Sequence, residues 1–377
     1  MKAKSIKGKT ARDINVSLDE SLKDGFVPSL AIVFISANEQ QEDVCKILTE
    51  KNIQVFGASS GYEFIDPDLE TDSIVMLLLD LNTEYFQLSF VETDGSNTRF
   101  AAAQIGEAGL KKFRKPAFLM VSGALSTDGD EIMEGIESAC GKGTTIFGGL
   151  AADKFLLEKT YVFTNNQFTE SGLLALILDG EKISLNGVAV GGWKPVGIDR
   201  FITKSKGNVV YSIDNEPAMD FIERYSGKKE LNTLNGVDLI LASNFQLQLY
   251  RDDKHPVMRT PLLSDSNDAS ITFAAAMPEG SRVRLCLLPG YEVVDESISQ
   301  FKKYKENQQD ADALIMFSCA GRQLSLGPFV SEEIEGVKKI WDAPMAGFFC
   351  YGEIGRVPDG YYEFHNMTCS LAILKEN

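Results

Sequence analysis

Three times along this chain an apolar strand runs into a serine. The segments read Ala-Ile-Val-Phe-Ile-Ser over residues 31–36, Phe-Leu-Met-Val-Ser over 118–122 and Leu-Ile-Met-Phe-Ser over 314–318. Each time a mixed helical stretch follows, and then a short strand that enters a glycine turn, around Gly57, Gly148-Gly149 and Gly347. A further apolar strand closes each copy, over 74–79, 173–178 and 371–374. An echo of whole units constrains a fold more than any single motif, because every copy must bury the same face against the same kind of neighbour. It predicts internally repeated strand–helix–strand units. In two copies the echo extends upstream. A strand over 86–90 and a helix over 101–113 precede the strand at 118, and a strand over 283–287 and a helix over 294–304 precede the strand at 314. The period is too long and irregular for a solenoid.

Between the second and third copies the pattern changes. Residues 183–190 read as a strand and 193–197 as a turn, and 201–205 with 209–213 form a hairpin around Lys206-Gly207-Asn208. Pro217 begins a helix that reaches about residue 225. The polar stretch 226–230 is the expected domain boundary, which divides the chain into regions 1–225 and 226–377. Strands follow over 237–242, 245–251 and 271–275, and residues 308–312 read as a polar connector. Amphipathic helices are predicted over 13–23, 42–51 and 131–139, the last with a plausible cap in Thr127-Asp128-Gly129. Strand–helix copies around a hairpin-rich middle region predict the α+β (mixed α/β) class, with mixed sheets flanked by helices.

Charge and composition narrow the partners. The 377 residues carry a net charge of −17, which argues against a nucleic-acid partner, since phosphate binding needs clustered Lys and Arg. It argues equally against an anionic membrane surface. The longest apolar run falls far short of the ~20 residues that span a bilayer. The basic N-terminal segment has no apolar stretch after it and so is not a secretory signal. Six scattered cysteines show no C-x-x-C pair and no zinc spacing, and a reduced cytoplasmic compartment fits them.

Several residues are candidates for chemistry. Gly57-Ala58-Ser59-Ser60-Gly61 matches the G-x-S-x-G elbow of serine hydrolases, with His365 as the base. An elbow must open a helix, however, and residues 63–67 do not read as helical. Glu63 and Glu353 stand at one offset after Gly57 and Gly347, and the middle copy has Lys154 there, with Asp153 one position earlier. An acid recurring at a strand end could line a cleft and bind an ammonium group, or could cap backbone N–H groups. Arg322 follows a buried strand directly and is placed for a bidentate grip on a carboxylate, or for an ion pair within the fold; Arg259 has the same two readings. His365 beside Asn366 precedes the last strand and could hold a carboxylate or ligate iron. Trp193 reads as packing. Gly141-Lys142-Gly143-Thr144 fails the phosphate-loop pattern because Gly143 follows the lysine.

At these residues the chain resembles a known family. Gly148-Gly149-Leu150-Ala151-Ala152-Asp153, Gly192-Trp193-Lys194-Pro195-Val196-Gly197, Thr203-Lys204, Glu216-Pro217-Ala218, Phe317-Ser318-Cys319-Ala320-Gly321-Arg322, Gly347-Phe348-Phe349-Cys350-Tyr351-Gly352-Glu353-Ile354 and His365-Asn366-Met367-Thr368 follow the order of FIST proteins (F-box and intracellular signal transduction). The joint order carries the resemblance, which covers nearly the whole chain, with an N-terminal and a C-terminal FIST region. It implies a sensory input module of bacteria, archaea and some eukaryotes that binds a small ligand, an amino acid or small carboxylate. By position the pocket candidates are Arg322, Cys350, Tyr351, Glu353, His365 and Asn366, to which its own pattern adds Arg259. One branch is similar to haem-containing nitric-oxide sensors that regulate histidine kinases, so haem with His365 as axial ligand is the alternative. No catalytic set comes with the resemblance, and no enzyme activity is expected. The FIST regions use up the length, so output is expected through a separate partner such as a histidine kinase. A Ser59 hydrolase and a protein-interaction scaffold remain the other readings.

Overall fold

A computed structural model describes residues 1–377 except 38–39, 94, 126, 227–242, 252–253, 288–289, 291, 307–309 and 359. It contains three copies of one unit. The first is β1 (Lys2–Gly8), α1 (Ala11–Leu22), β2 (Leu30–Ser36), α2 (Gln41–Glu50), β3 (Gln54–Ser60), the hairpin β4 (Glu63–Ile65) and β5 (Asp68–Glu70), and β6 (Ile74–Asp80). The second repeats this as β7 (Phe86–Glu92), α3 (Thr98–Lys112), β8 (Pro116–Ser122), α4 (Gly129–Cys140), β9 (Ile146–Leu150), the hairpin β10 (Val162–Phe163) and β11 (Phe168–Thr169), and β12 (Gly172–Asp179). In each unit the return strand runs antiparallel between the first strand and a parallel pair, giving the orders β1-β6-β2-β3 and β7-β12-β8-β9.

The third unit opens with β13 (Ile183–Val190), breaks for an insertion, and resumes with a helix over Glu292–Lys305. It ends with β22 (Ala313–Cys319), helices over Ala320–Leu326 and Val330–Ile340, β23 (Met345–Cys350), the hairpin β24 (Glu353–Arg356) and β25 (Tyr362–His365), and β26 (Cys369–Glu376). Its strand order is β13-β26-β22-β23. The lead strand is therefore β13, paired with β26 from Ile183 to Val190, and not the strand expected over 283–287. The latter belongs to the insertion, where it lies between two other strands; a helix follows both, which is why they look alike in sequence.

The hairpins change sheets. That of the first unit extends the sheet of the third through β4–β23, that of the second extends the first through β10–β3, and that of the third extends the second through β24–β9. The exchange closes a ring of three. The glycines expected in turns lie inside β3, β9 and β23, because an incoming strand crosses there. A Cβ on Gly57 would overlap the Phe163 ring, and one on Gly347 would overlap Phe64.

Period-two burial explains why the three sheets enclose one core. Leu30, Ile32 and Phe34 of β2, Leu119 and Val121 of β8, and Ala313, Ile315 and Phe317 of β22 meet in a common cluster. The alternate residues face each unit's own helices: Ala31, Val33 and Ile35 under α1 and α2, Phe118 and Met120 under α3 and α4, Leu314 and Met316 under the third unit's helices. Each fully buried side chain of this size is worth about 1.5–3 kcal/mol. Phe34, Phe317 and Phe348 pack at the centre, Phe317 edge-on to the other two, with ring centroids 4.5–6.2 Å apart.

The insertion forms its own eight-stranded sheet from β14 (Pro195–Lys206), β15 (Val209–Ile213), β16 (Glu216–Pro217), β17 (Gln246–Arg251), β18 (Lys254–Arg259), β19 (Pro261–Asp265), β20 (Ser270–Phe273) and β21 (Arg282–Cys286). The segment read as a turn over 193–197 is in part the start of β14. The helix after Pro217 spans Ala218–Ser226. The expected boundary at 226–230 reaches beyond the described residues at 227, as do the whole of the strand expected over 237–242 and part of the connector at 308–312. The fold is α+β, with mixed sheets flanked by helices, as the repeats implied. No described helix is long and apolar enough to cross a membrane.

Candidate functional site

The carboxyl ends of β9, β22 and β23 open on a cavity of about 460 Å³. Ligands of α/β proteins settle in such a crevice because the parallel strands end there together. Leu150, Cys319, Cys350 and Tyr351 form its floor, the segment before α4 contributes Thr127 and Asp128 and the first turn of α4 Glu131, and the insertion covers it with Asn208, Thr260 and Phe273. Phe155 and Leu157 complete the wall from the loop after β9.

Behind the floor lies Glu353, which is 0% exposed. Its carboxyl accepts from Cys350 Sγ (3.3 Å), Thr368 N (3.1 Å) and Thr368 Oγ1 (2.9 Å). Burial pushes its pKa up to about 8 against the lowering effect of these bonds, so it holds its proton at neutral pH. Glu63 occupies the same place in the first unit, bonded by the hydroxyls of Ser60 and Ser73 (2.8 Å), and burial raises it to about 7. The equivalence read from the sequence holds for this pair. In the second unit the position falls on Val162, which faces Ala58 as Glu63 faces Phe348 and Glu353 faces Gly149. Lys154 and Asp153 are not the counterparts, because residues 151–161 separate β9 from β10 where only two residues separate the strands in the other units. The first nest is built of hydroxyls; the third pairs the hydroxyl and N–H of Thr368 with the thiol of Cys350, through which it opens on the cavity.

Asp153 has a different task. Its carboxylate accepts the N–H groups of Leu156, Leu157, Glu158 and Lys159 at 2.8–3.1 Å and the Tyr351 hydroxyl. It thereby folds the 153–159 loop around itself, with Phe155 and Leu157 in the left-handed region (φ 61° and 53°). Both strained residues and Tyr351 face the cavity.

The structure divides the expected site residues. Cys350, Tyr351 and Asn366 are on the cavity wall, and Glu353 stands one thiol behind it. Arg322 is not on the wall. It is 0% exposed, and all five of its N–H groups are used within the fold: Glu333 takes two (2.9 and 2.5 Å), Gly191 O (2.6 Å), Met367 O (3.3 Å) and Ser297 Oγ (2.8 Å) the rest. Gripping a ligand would leave one of these buried partners unpaired. Arg259 is likewise internal, paired with Asp130 (2.7 Å) and bonded to Met258 O and Phe364 O (both 3.2 Å). His365 is buried on β25 with Nε2 3.2 Å from Gly355 O, and burial lowers its pKa to about 3. It does not reach the cavity, so its placement does not fit an axial haem ligand. Ser59 lies inside β3, donating to Ala152 O and accepting from Tyr161 N, and does not open a helix. Trp193 is buried, as packing requires.

Other wall residues escaped the sequence reading. Asp128 was legible only as a helix cap, which it is, accepting from Asp130 N at 2.8 Å. Burial, helped by neighbouring Asp130, raises its pKa. Asn366 is 1% exposed, and its Oδ1 has no hydrogen-bond partner; Thr127 Oγ1 has none either. Native buried polar atoms are rarely left so. No Lys, Arg or His lines the cavity among the described residues.

A family model described as the FIST N domain matches residues 29–216, and one described as the FIST C domain matches residues 218–356. No curated protein matches the chain. FIST domains are sensory domains of signal transduction. With most of its length matched by the two models in their proper order, the chain belongs to the FIST family.

Proposed function

We propose that this FIST protein is a sensory module whose cavity takes a compact, largely apolar ligand bearing an amine, and that it passes occupancy to a separate protein. The observation that carries the reading is Asn366, a cavity-wall residue whose buried Oδ1 has no partner in the protein. A ligand N–H would satisfy it, and leaving such an atom unmatched costs about 1–3 kcal/mol. Asp128 and Glu131 add negative charge to the same wall. The amine half of the expected amino-acid ligand is thus supported. The carboxylate half is not: Arg322 is fully engaged, and a buried carboxylate without a cation costs several kcal/mol. Output through a separate partner rests on family membership.

The test is a calorimetric and thermal-shift comparison of small primary amines with their N-acetyl derivatives. An amine at ~100 times its Kd adds about 2.7 kcal/mol, and Asn366→Ala should cut that shift by at least half while leaving the unliganded melt within a few degrees. Equal binding of amine and N-acetyl compound, or an unchanged shift in the variant, would overturn the reading.

A further inference from the structure

Trp193, Met258, Cys286, Cys319 and Met367 form one buried cluster against the cavity. They come from the start of the insertion, β18, β21, the end of β22 and the link before β26, so four sulfur-bearing side chains distant in sequence pack in one cluster. Cys286 Sγ lies 3.9 Å from Met258 Sδ, and Cys319 Sγ lies 3.9 Å from Met367 Sδ. Each thiol donates a weak hydrogen bond to the facing thioether, so the sulfurs are turned toward one another and not merely buried. Met367 also holds a left-handed backbone (φ 61°), a conformation that costs a non-glycine residue stability. Its carbonyl is fixed by Trp193 Nε1 (3.1 Å) and Arg322 Nη1 (3.3 Å), which set the direction in which its side chain leaves.

We propose that this cluster is a binding site for a soft monovalent metal ion, Cu(I) or its analogue Ag(I), held by Cys319, Cys286, Met258 and Met367. Thiolate and thioether ligands select such ions. Two sulfurs at about 2.3 Å from one four-coordinate, tetrahedral ion stand about 3.8 Å apart, close to the 3.9 Å of both pairs here. Among the described residues no three His, Cys, Asp or Glu are grouped to hold a metal, so the thioethers are what would make this a site. Both thiols lose their protons to solvent as the ion arrives, because a cysteine ligates as the thiolate, and two thiolates around a monovalent ion leave the site a single negative charge. Cys319 lies on the cavity wall and provides the way in. The cluster needs no assumption about the cavity's organic ligand.

The experiment titrates the reduced full chain, free of amines, with Cu(I) under anaerobic conditions against a chromogenic Cu(I) chelator, and repeats it with Ag(I). The wild type should retain one equivalent, with quenching of Trp193 fluorescence and protection of Cys286 and Cys319 from alkylation. Met258→Leu/Met367→Leu conserves core volume and should weaken retention at least tenfold, whereas Cys45→Ser, remote from the cluster, should leave it unchanged. A wild type that yields all its metal to the chelator overturns the proposal. So does a double variant that melts like the wild type and binds as tightly. If that variant fails to fold, the alkylation map of the wild type decides: an added equivalent that leaves both cysteines unprotected refutes the site.

Discussion

Arg322→Ala should cost the protein stability and leave ligand affinity intact in the molecules that remain folded. The side chain is wholly buried with every N–H bonded, and its removal strands Glu333, itself 0% exposed, without a counter-charge. Breaking a buried pair from one side costs about 3–5 kcal/mol, most of it the penalty of the orphaned charge. An unfolding entropy of roughly 2.1 cal/mol/K per residue over 377 residues comes to roughly 0.8 kcal/mol/K, so the melting temperature should fall by about 4–6 °C. Scanning calorimetry reads the melt, and titration with an amine well below it reads affinity. Arg322→Met combined with Glu333→Leu, which removes both charges, should recover most of the loss. A variant melting within 1 °C of the wild type, or one that melts normally and no longer binds, would show that Arg322 serves a ligand and would refute the reasoning.

Two further outcomes follow from the geometry. Glu353 keeps its proton in the folded state up to about pH 8, whereas the unfolded chain releases it near the ordinary carboxyl value of 4.5, so its contribution is full below that value and is lost as pH rises toward 8. Glu353→Gln should therefore flatten the decline in stability across that window in denaturant titrations at stepped pH; an unchanged slope would mean that the carboxyl ionises freely. Gly347→Ala places a methyl group against the Phe64 ring and Met316 O and should destabilise by about 1–3 kcal/mol in urea unfolding. A neutral effect would show that β4 does not cross β23 there.

Much of this architecture could be read from local pattern, and the reasons for the exceptions are physical. The parallel strands of each unit, buried on both faces, are continuous apolar runs and announce themselves. The repeat also identified Glu63 and Glu353 as partners, because the two-residue link before each preserves their offset. The exchange of hairpins could not be foreseen: β4 and β10 are three and two residues long, and nothing in so short a strand states which distant sheet it joins. The insertion hid β13 by parting it from the rest of its unit. Within the site, Cys350 and Tyr351 were candidates only through the family resemblance, and an arginine's sequence context does not say whether its partner is a ligand or, as for Arg322, a glutamate on the next helix. Asp128 fits the pattern of a cap so well that its second face, toward the cavity, left no trace.

The exchanged hairpins make the order of synthesis a problem for the folding chain. The β4–β5 hairpin leaves the ribosome early, yet its sheet is completed by β23, and the bond from Met345 N to Asp66 Oδ1 spans 279 residues of sequence. Until then the first unit exposes an unclaimed strand edge, and the third hairpin must travel back to β9 to cover another. Loop-closure entropy must be met before such distant pairings give any return, so folding should be slow and wait until β23 and β24 have been made. The two FIST regions are consequently poor candidates for separate expression: each lends the other a strand, and a fragment cut between them would present open edges that favour aggregation or the borrowing of a hairpin from a second fragment.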